Sequence, residues 1–304
     1  MIQILELFGG IGSPRIALRN LNIPTKAIDY VEIDQKAVDS YNAMFANELE
    51  YRTQSVVGWN LKPDIAIHGS PCQDNTVLGG AAGMEINSGT RSSLLWESVK
   101  SFEQMGTWRP KTVIWENVPG VLKLKKSKGA FKKYLEKMES LGYTNSFEIL
   151  DARDFGIPQA RKRLFTISTL KKDPFNFERL VKRPTRNINE YLETNVDDSY
   201  TITSPSMLKV IGKPLKGFGG YLPIIEDYCW TITTKQNRNP NSGIIPIGND
   251  QFRLLTEKEC WLLQGYSDLD FMNAASVNKK TALYHQAGNS IPVTIFESIF
   301  EVII

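Results

Sequence analysis

Over the first 170 residues the apolar positions follow two alternating rhythms. The short runs "IQILELF", "AIDYVEI", "DIAIHG", "TVIWENV", "TNSFEIL" and "RLFTIS" have the length and β-branched content of buried strands. Between them lie stretches whose apolar residues recur at helical spacing. "SPRIALRNL" has Ser13 as its expected N-cap and Pro14 at the first helical position. "DQKAVDSYNAMFA" is capped by Asp34 and places Ala37, Val38, Tyr41, Met44 and Phe45 on one face. "RSSLLWESVKSFEQM" follows the third strand. "AFKKYLEKMESLGY" sets Phe131, Tyr134, Leu135, Met138 and Leu141 on one face, and Gly142 ends it. Strand–helix alternation of this kind predicts an α/β fold with a doubly wound, mostly parallel sheet.

The rhythm breaks after residue 170. Residues 171–251 are rich in Thr, Asn, Pro and Gly, with short β-like runs, and predict a small β-rich module of their own. Helical periodicity returns in "TEKECWLLQGY", and the chain closes on "SIPVTIFESIFEVII", a helix opened by Ser290 and Pro292. The expected division is a main domain of residues 1–170 plus 252–304, interrupted by the module.

Composition narrows the chemistry. At 41% hydrophobic and 23% charged, the 304 residues describe an ordinary globular protein. No run reaches the roughly 18 apolar residues of a membrane span, and "MIQILELFGG" has no basic leader, so an intracellular setting is expected. Three cysteines (Cys72, Cys229, Cys260) and two histidines (His68, His285) follow no metal-ligand spacing. A zinc site and a mechanism built on a histidine base are therefore not expected, which leaves thiol, carboxylate, amide and guanidinium groups. Net charge is only +3, but it is unevenly spread. Residues 121–137 hold seven lysines against one glutamate, and residues 161–186 hold nine basic residues against two acidic. Such clusters predict an anionic partner, nucleic acid above all.

Candidate chemistry gathers at the predicted strand ends. "ELFGGIGS" is a glycine turn between first strand and first helix, where backbone can approach a ligand, and Glu32 ends the second strand. Together they predict a nucleoside cofactor without separating a nicotinamide dinucleotide from S-adenosylmethionine. Cys72 follows the third strand in "GSPCQ", at the edge where open α/β sheets bind ligands. "ENV" places Glu116 and Asn117 at the end of another strand. "GIPQARKR" contributes Gln159, Arg161 and Arg163, and "QAGNS" suggests a turn at Gly288, Asn289 and Ser290 before the last helix. His68 is expected to end its strand, Cys229 and Cys260 to pack, and Trp96, Trp115 and Trp261 to be core.

"ELFGGIGS", "VEID", "GSPCQ", "ENV", "GIPQARKR", "RLLTEKECWLLQGY" and "QAGNS", in this order, resemble the motifs of the DNA (cytosine-5)-methyltransferases of bacterial or phage type. The resemblance covers residues 1–170 and 252–304. It implies the S-adenosylmethionine-dependent methyltransferase fold and methyl transfer to C5 of a cytosine flipped out of double-stranded DNA. It implies a Cys72 thiolate that adds to C6, with Gln73 in the loop that closes over the base. Glu116 would contact N3 and the exocyclic amine, Arg163 the base carbonyl and the cysteine region, while Arg161 and Asn117 would fix the surrounding loops. For the cofactor it implies Phe8, Gly10, Gly12, Glu32, Pro71, Leu94, Asn289 and Ser290. The interrupting module becomes a target-recognition domain reading a site of about 4–6 base pairs. There Gln236, Asn237 and Arg238 are the candidate DNA contacts, together with Gln159 near the main domain, because amide and guanidinium groups suit base edges. The expected state is a monomer in the cytoplasm of a bacterial or phage-infected cell. A cognate restriction endonuclease is the one protein partner implied, with no physical contact required. The sequence departs from the family pattern at Glu6, where Asp is usual, at Ser70, where Pro is common, and in "TQSVVG" and "GTRSSL", which lack an expected aspartate. The competing reading on the same scaffold is a tRNA cytosine-5 methyltransferase, whose Cys-Phe-Thr signature is absent here.

Overall fold

The computed structural model describes residues 1–46, 48, 50–56, 63–70, 91–212 and 222–304. In chain order, β1 (Ile2–Leu7), α1 (Ser13–Asn20), β2 (Thr25–Val31), α2 (Gln35–Met44), β3 (Ile65–His68), α3 (Leu95–Gln104), β4 (Thr112–Asn117), α4 (Gly120–Lys123), α5 (Lys125–Ser140) and β5 (Thr144–Asp151) realise the predicted alternation. After them come β6 (Gln159–Ala160) and β7 (Lys162–Thr169). Six strands form one sheet in the order β2-β1-β3-β4-β7-β5. Neighbours from β2 to β4 are parallel, and β7 enters antiparallel to both β4 and β5.

Both faces of the sheet are covered, which explains why its strands read as continuous apolar runs. One face buries Ile4, Ile65, Ile67, Ile114 and Phe165 under α1, α2, α9 (Lys280–Asn289) and α10 (Val293–Ile303). The other buries Leu5, Leu7, Ala66, Val113 and Trp115 under α3 and α5. His68 ends β3 inside the second layer, boxed by Phe102, Trp115 and Tyr134, where burial lowers its pKa to about 3. Asp34 caps α2 by accepting from the Lys36 amide. Ser13 is not the cap of α1. Gly12 holds that position in the left-handed region, and the Ser13 hydroxyl is instead bonded to the Tyr266 hydroxyl at 2.6 Å.

Beyond β7 the chain is irregular. It contains α6 (Pro205–Leu208), β8 (Cys229–Trp230), β9 (Ile245–Gly248) and β10 (Gln251–Arg253). A small separate cluster forms around Ile202, Leu222 and Ile244. The stretch before it packs elsewhere: Leu180 and Ile188 join the main core, and Arg183 pairs with Glu297 and Glu301 on α10. The chain re-enters the body through "RLLTEKE". There buried Arg253 makes a two-pronged pair with buried Glu259 at 2.8 and 2.9 Å, and Thr256 and Glu259 form a capping box at the start of α7 (Glu257–Leu262). The helix α8 (Asp268–Val277) then packs on α2, and α10 on α1. Cys229 and Cys260 are fully buried, and burial pushes both thiols far above their usual range.

Candidate active site

The site lies along one edge of the sheet, built by the carboxyl ends of β1, β3 and β4. Because β7 runs antiparallel to β4, with Asn117 opposite Leu164, its start falls at that same edge and delivers Arg163 beside Glu116. The crevice sits where the order reverses around β1 and β3, the place where open α/β sheets bind ligands.

At β4 the Glu116 carboxylate meets the Arg163 guanidinium, Nε to Oε1 3.1 Å, with both side chains only 12–13% exposed. Burial raises the Glu116 pKa, and the charges of Arg163 and Arg161 pull it back down. A Cβ placed on Gly69 would lie 3.5 Å from Glu116 Oε2, so the end of β3 borders the carboxylate directly. Asn117 joins the two strands: its Nδ2 donates to the Ser70 carbonyl at 3.2 Å, and its Oδ1 accepts from the Val118 amide. Ser70 also accepts from Trp115 Nε1 at 3.0 Å. The departure from proline at Ser70 therefore supplies an acceptor for a buried indole. Pro71, Cys72 and Gln73 follow Ser70 and lie outside the described residues, as does the expected closing loop, residues 74–90.

The glycine turn forms a cradle. Phe8 has φ 56°, a region that costs a non-glycine residue roughly 1–3 kcal/mol and that clusters at functional sites. Gly10, at φ 52°, has open space where a Cβ would stand, so a ligand can come against the backbone. Glu32 faces this turn. One carboxylate oxygen accepts from the Gly10 amide at 2.9 Å, the other from the amides of Ile33 and Asp34 at 2.7 and 2.9 Å. Three donors leave acceptor capacity on a carboxylate, which has about four lone-pair sites. Leu94 is half-buried at the start of α3, and Phe8 packs on the same layer. From the far side of the crevice, Ser290 lies close to Tyr266, whose hydroxyl is bonded to that of Ser13 at the end of the turn. Asn289 is exposed, with His285 Nδ1 3.4 Å from its Nδ2.

Three expectations change, at Gly288–Asn289, Gln159 and Gln236. Gly288 and Asn289 are the last turn of α9, not a turn between helices; the helix continues until Pro292 forbids it. Arg161, expected to fix a loop, is 2% exposed, with its guanidinium on the carbonyls of Ile232, Gly288 and Ser290. Gln159 is fully buried, its amide donating to the Leu263 carbonyl and accepting from the Ile232 amide, which removes it from the DNA contacts. Gln236 is buried too and presents no edge to solvent, whereas Asn237 is half-buried and Arg238 exposed. Sequence reading also missed two residues. Ile33 is 77% exposed, an apolar side chain immediately beyond the Glu32 carboxylate. Tyr266 is buried, its hydroxyl bonded to that of Ser13. An isoleucine placed after an acidic strand end, where burial stops, was a signal for the first; the second left none.

The family model for C-5 cytosine-specific DNA methylases matches residues 2–304. Among curated relatives, type II methyltransferase M2.ScrFI of Lactococcus lactis subsp. cremoris is 32% identical, over 99% of this chain and 98% of its own. The orphan methyltransferase M.SssI of Spiroplasma monobiae is 31% identical over 78% of this chain and 65% of its own. Among solved structures, the S. pombe Dnmt2 methyltransferase superposes with a TM-score of 0.78 at 19% identity, covering 98% of this chain and 96% of that one, a likeness of fold. With a matched family model spanning the crevice, the glycine turn and the returning helices, the chain belongs to the C-5 cytosine-specific DNA methylase family and is a DNA (cytosine-5)-methyltransferase.

Proposed function

We propose that the enzyme moves a methyl group from S-adenosylmethionine to C5 of a cytosine turned out of double-stranded DNA, with Cys72 as the nucleophile. The observation that carries this reading is the Glu116–Arg163 pair at the edge of β4, tied through Asn117 to the strand that leads into Pro71 and Cys72. The thiolate forms a bond to C6, and the ring's electron density shifts to C5. C5 takes the methyl group, with S-adenosylhomocysteine as the leaving thioether; C5 then gives its proton to water, and the C–H electron pair re-forms the C5–C6 double bond as the C6–S bond breaks and the thiolate leaves. Glu116, its pKa raised by burial, holds a proton more readily than a surface carboxylate and so suits a contact to N3 as charge builds in the ring. Arg163 anchors that carboxyl and adds positive charge near a thiol that is otherwise mostly protonated at neutral pH. Asn117 and Arg161 are positioning residues.

The open cradle at Gly10 and the spare acceptor capacity of Glu32 fit a nucleoside cofactor. When bound, S-adenosylmethionine supplies an electrophilic methyl group. Phe8, Leu94 and Ile33 would border the adenosine, Glu32 would accept from the ribose hydroxyls, and Gly12, Pro71, Asn289 and Ser290 would complete the pocket. Residues 171–251 serve as the target-recognition domain, with Asn237 and Arg238 turned to DNA. The proposed partner is double-stranded DNA and the proposed state a monomer. The type II and orphan relatives support a cytoplasmic bacterial or phage setting, with or without a cognate restriction endonuclease.

Trapping tests the whole reading. Duplex DNA carrying 5-fluorocytosine should form a covalent adduct with the enzyme plus S-adenosylmethionine, seen as the mass of protein plus strand plus the transferred methyl group less the thiol proton, because fluorine at C5 blocks the final elimination. Cys72→Ala should give none while still binding DNA. An adduct with Cys72→Ala, or its absence from the wild type on DNA that the enzyme methylates, would refute the nucleophile. Bisulfite sequencing of methylated random duplexes gives the site.

A further inference from the structure

Arg161 lies between two segments that the proposed function assigns to different ligands. Its Nη1 donates to the Ile232 carbonyl at 2.9 Å, at the start of the loop that leads to Asn237 and Arg238. Its Nη2 donates to the carbonyls of Gly288 at 2.9 Å and Ser290 at 2.6 Å, in the segment assigned to the cofactor. The guanidinium is planar, so its donors cannot follow two loops that move apart. A second contact joins the same segments without any side chain. A Cβ on Gly288 would collide with the backbone of Thr233 and Thr234, so main chain rests directly on main chain. Gln159 holds the first segment from its other side, accepting from the Ile232 amide at 3.0 Å and donating to the Leu263 carbonyl at 2.8 Å. Beside Ser290, Tyr266 is bonded to Ser13 at the end of the glycine turn.

We propose that Arg161 is a positioning residue that couples cofactor occupancy to DNA recognition, by locking the 232–234 backbone onto the 288–290 segment. This rests on the assignment of those two segments to DNA and cofactor. A DNA site that orders the first segment also sets the second in its binding geometry. Coupling of this kind is reciprocal: the cofactor tightens DNA by the same factor that DNA tightens the cofactor.

The test is calorimetry with S-adenosylhomocysteine, alone and with a saturating duplex bearing the site found by bisulfite sequencing. The wild type should bind it more tightly with DNA, by a ratio on the order of tenfold. Arg161→Lys, which cannot reach three carbonyls in one plane, should bring the ratio close to one while affinity without DNA changes less than the ratio does. Gln159→Met should lower the ratio in part, and it decides the matter if Arg161→Lys is unfolded at the assay temperature. A wild-type ratio of one, or a wild-type ratio kept by the folded variants, overturns the proposal alone. No binding of S-adenosylhomocysteine by the wild type overturns the cofactor assignment and the proposal with it.

Discussion

Two carboxyl groups, one in the crevice and one beneath it, have their proton affinities raised by the same cause, with different consequences. In the proposed mechanism, the raised value at Glu116 favours holding a proton for N3. Glu116→Gln keeps shape and hydrogen bonds but cannot transfer that proton, so methyl transfer should slow on the order of 10²–10³-fold. Affinity for S-adenosylhomocysteine should stay near wild type; a loss confined to that affinity would place Glu116 away from the base. Glu6 lies deeper, accepting from the Tyr41 hydroxyl at 2.6 Å, while Arg15 donates to the same hydroxyl at 2.9 Å. Burial pushes Glu6 from 4.5 up to about 7, against the opposing pull of Tyr41 and Arg15. Between those values the folded chain holds a proton that the unfolded chain has lost. Its contribution to stability is therefore full below about pH 4.5 and is lost as pH rises towards 7, by at most about 1.4 kcal/mol per pH unit. Urea midpoints from pH 4.5 to 8 should fall less steeply for Glu6→Gln than for the wild type. Equal slopes would show that Glu6 is ionised throughout.

Among the elements, α7 depends most on a single interaction. Glu259 accepts from Arg253, from the Thr256 amide and from the Glu193 amide, and so ties the returning chain, the helix start and the preceding linker together. Glu259→Ala leaves a buried guanidinium without its partner and should cost about 3–5 kcal/mol. Replacing both residues, Arg253→Met with Glu259→Leu, should recover much of that loss. A chemical-denaturation midpoint for the single variant equal to wild type would show that the pair is neutral. The signal for this helix was legible, since "LTEKE" carries a capping box in its letters. So were the strands and α2, where apolar spacing and a local cap decide the outcome. The cap of α1 was not: Ser13 and Gly12 are both good caps, and Tyr266, over 250 positions away, claims the hydroxyl. The burial of Arg161 and Gln159 was not legible for the same reason. The carbonyls and amides that bury Arg161 and Gln159 come from segments about 70 to 130 residues on, and no local pattern announces them.

Across the whole molecule, the crevice was readable as a set of motifs because strand ends must converge on one edge. The irregular region 171–251 was readable only as a change of rhythm. Its first part proves to pack on the main core, since the apolar residues of 175–192 are too few to show which core they join. On the proposed reading, sequence discrimination depends on what remains exposed there. Arg238 is the exposed guanidinium of the 234–239 turns, and a guanidinium suits guanine through paired hydrogen bonds. Arg238→Ala should cost about 1–3 kcal/mol in binding and relax one position of the site in bisulfite sequencing of random duplexes. Weaker methylation with an unchanged sequence logo would make Arg238 a phosphate contact.

The seating of that recognition loop has an implication for how specificity is inherited. Its anchors are main-chain groups: the Ile232 carbonyl and amide, the backbone of Thr233 and Thr234 against Gly288, the Cys229 amide on Pro158, and the Trp230 amide on Ser242. None of these contacts depends on which side chains the loop carries outward. The seat is thus indifferent to the exposed letters it holds, and mutation can rewrite Lys235, Arg238 and Asn239 without disturbing their mounting. If this loop reads the DNA as proposed, a lineage built this way can change its target sequence by drift within a few exposed positions while the catalytic edge is inherited intact.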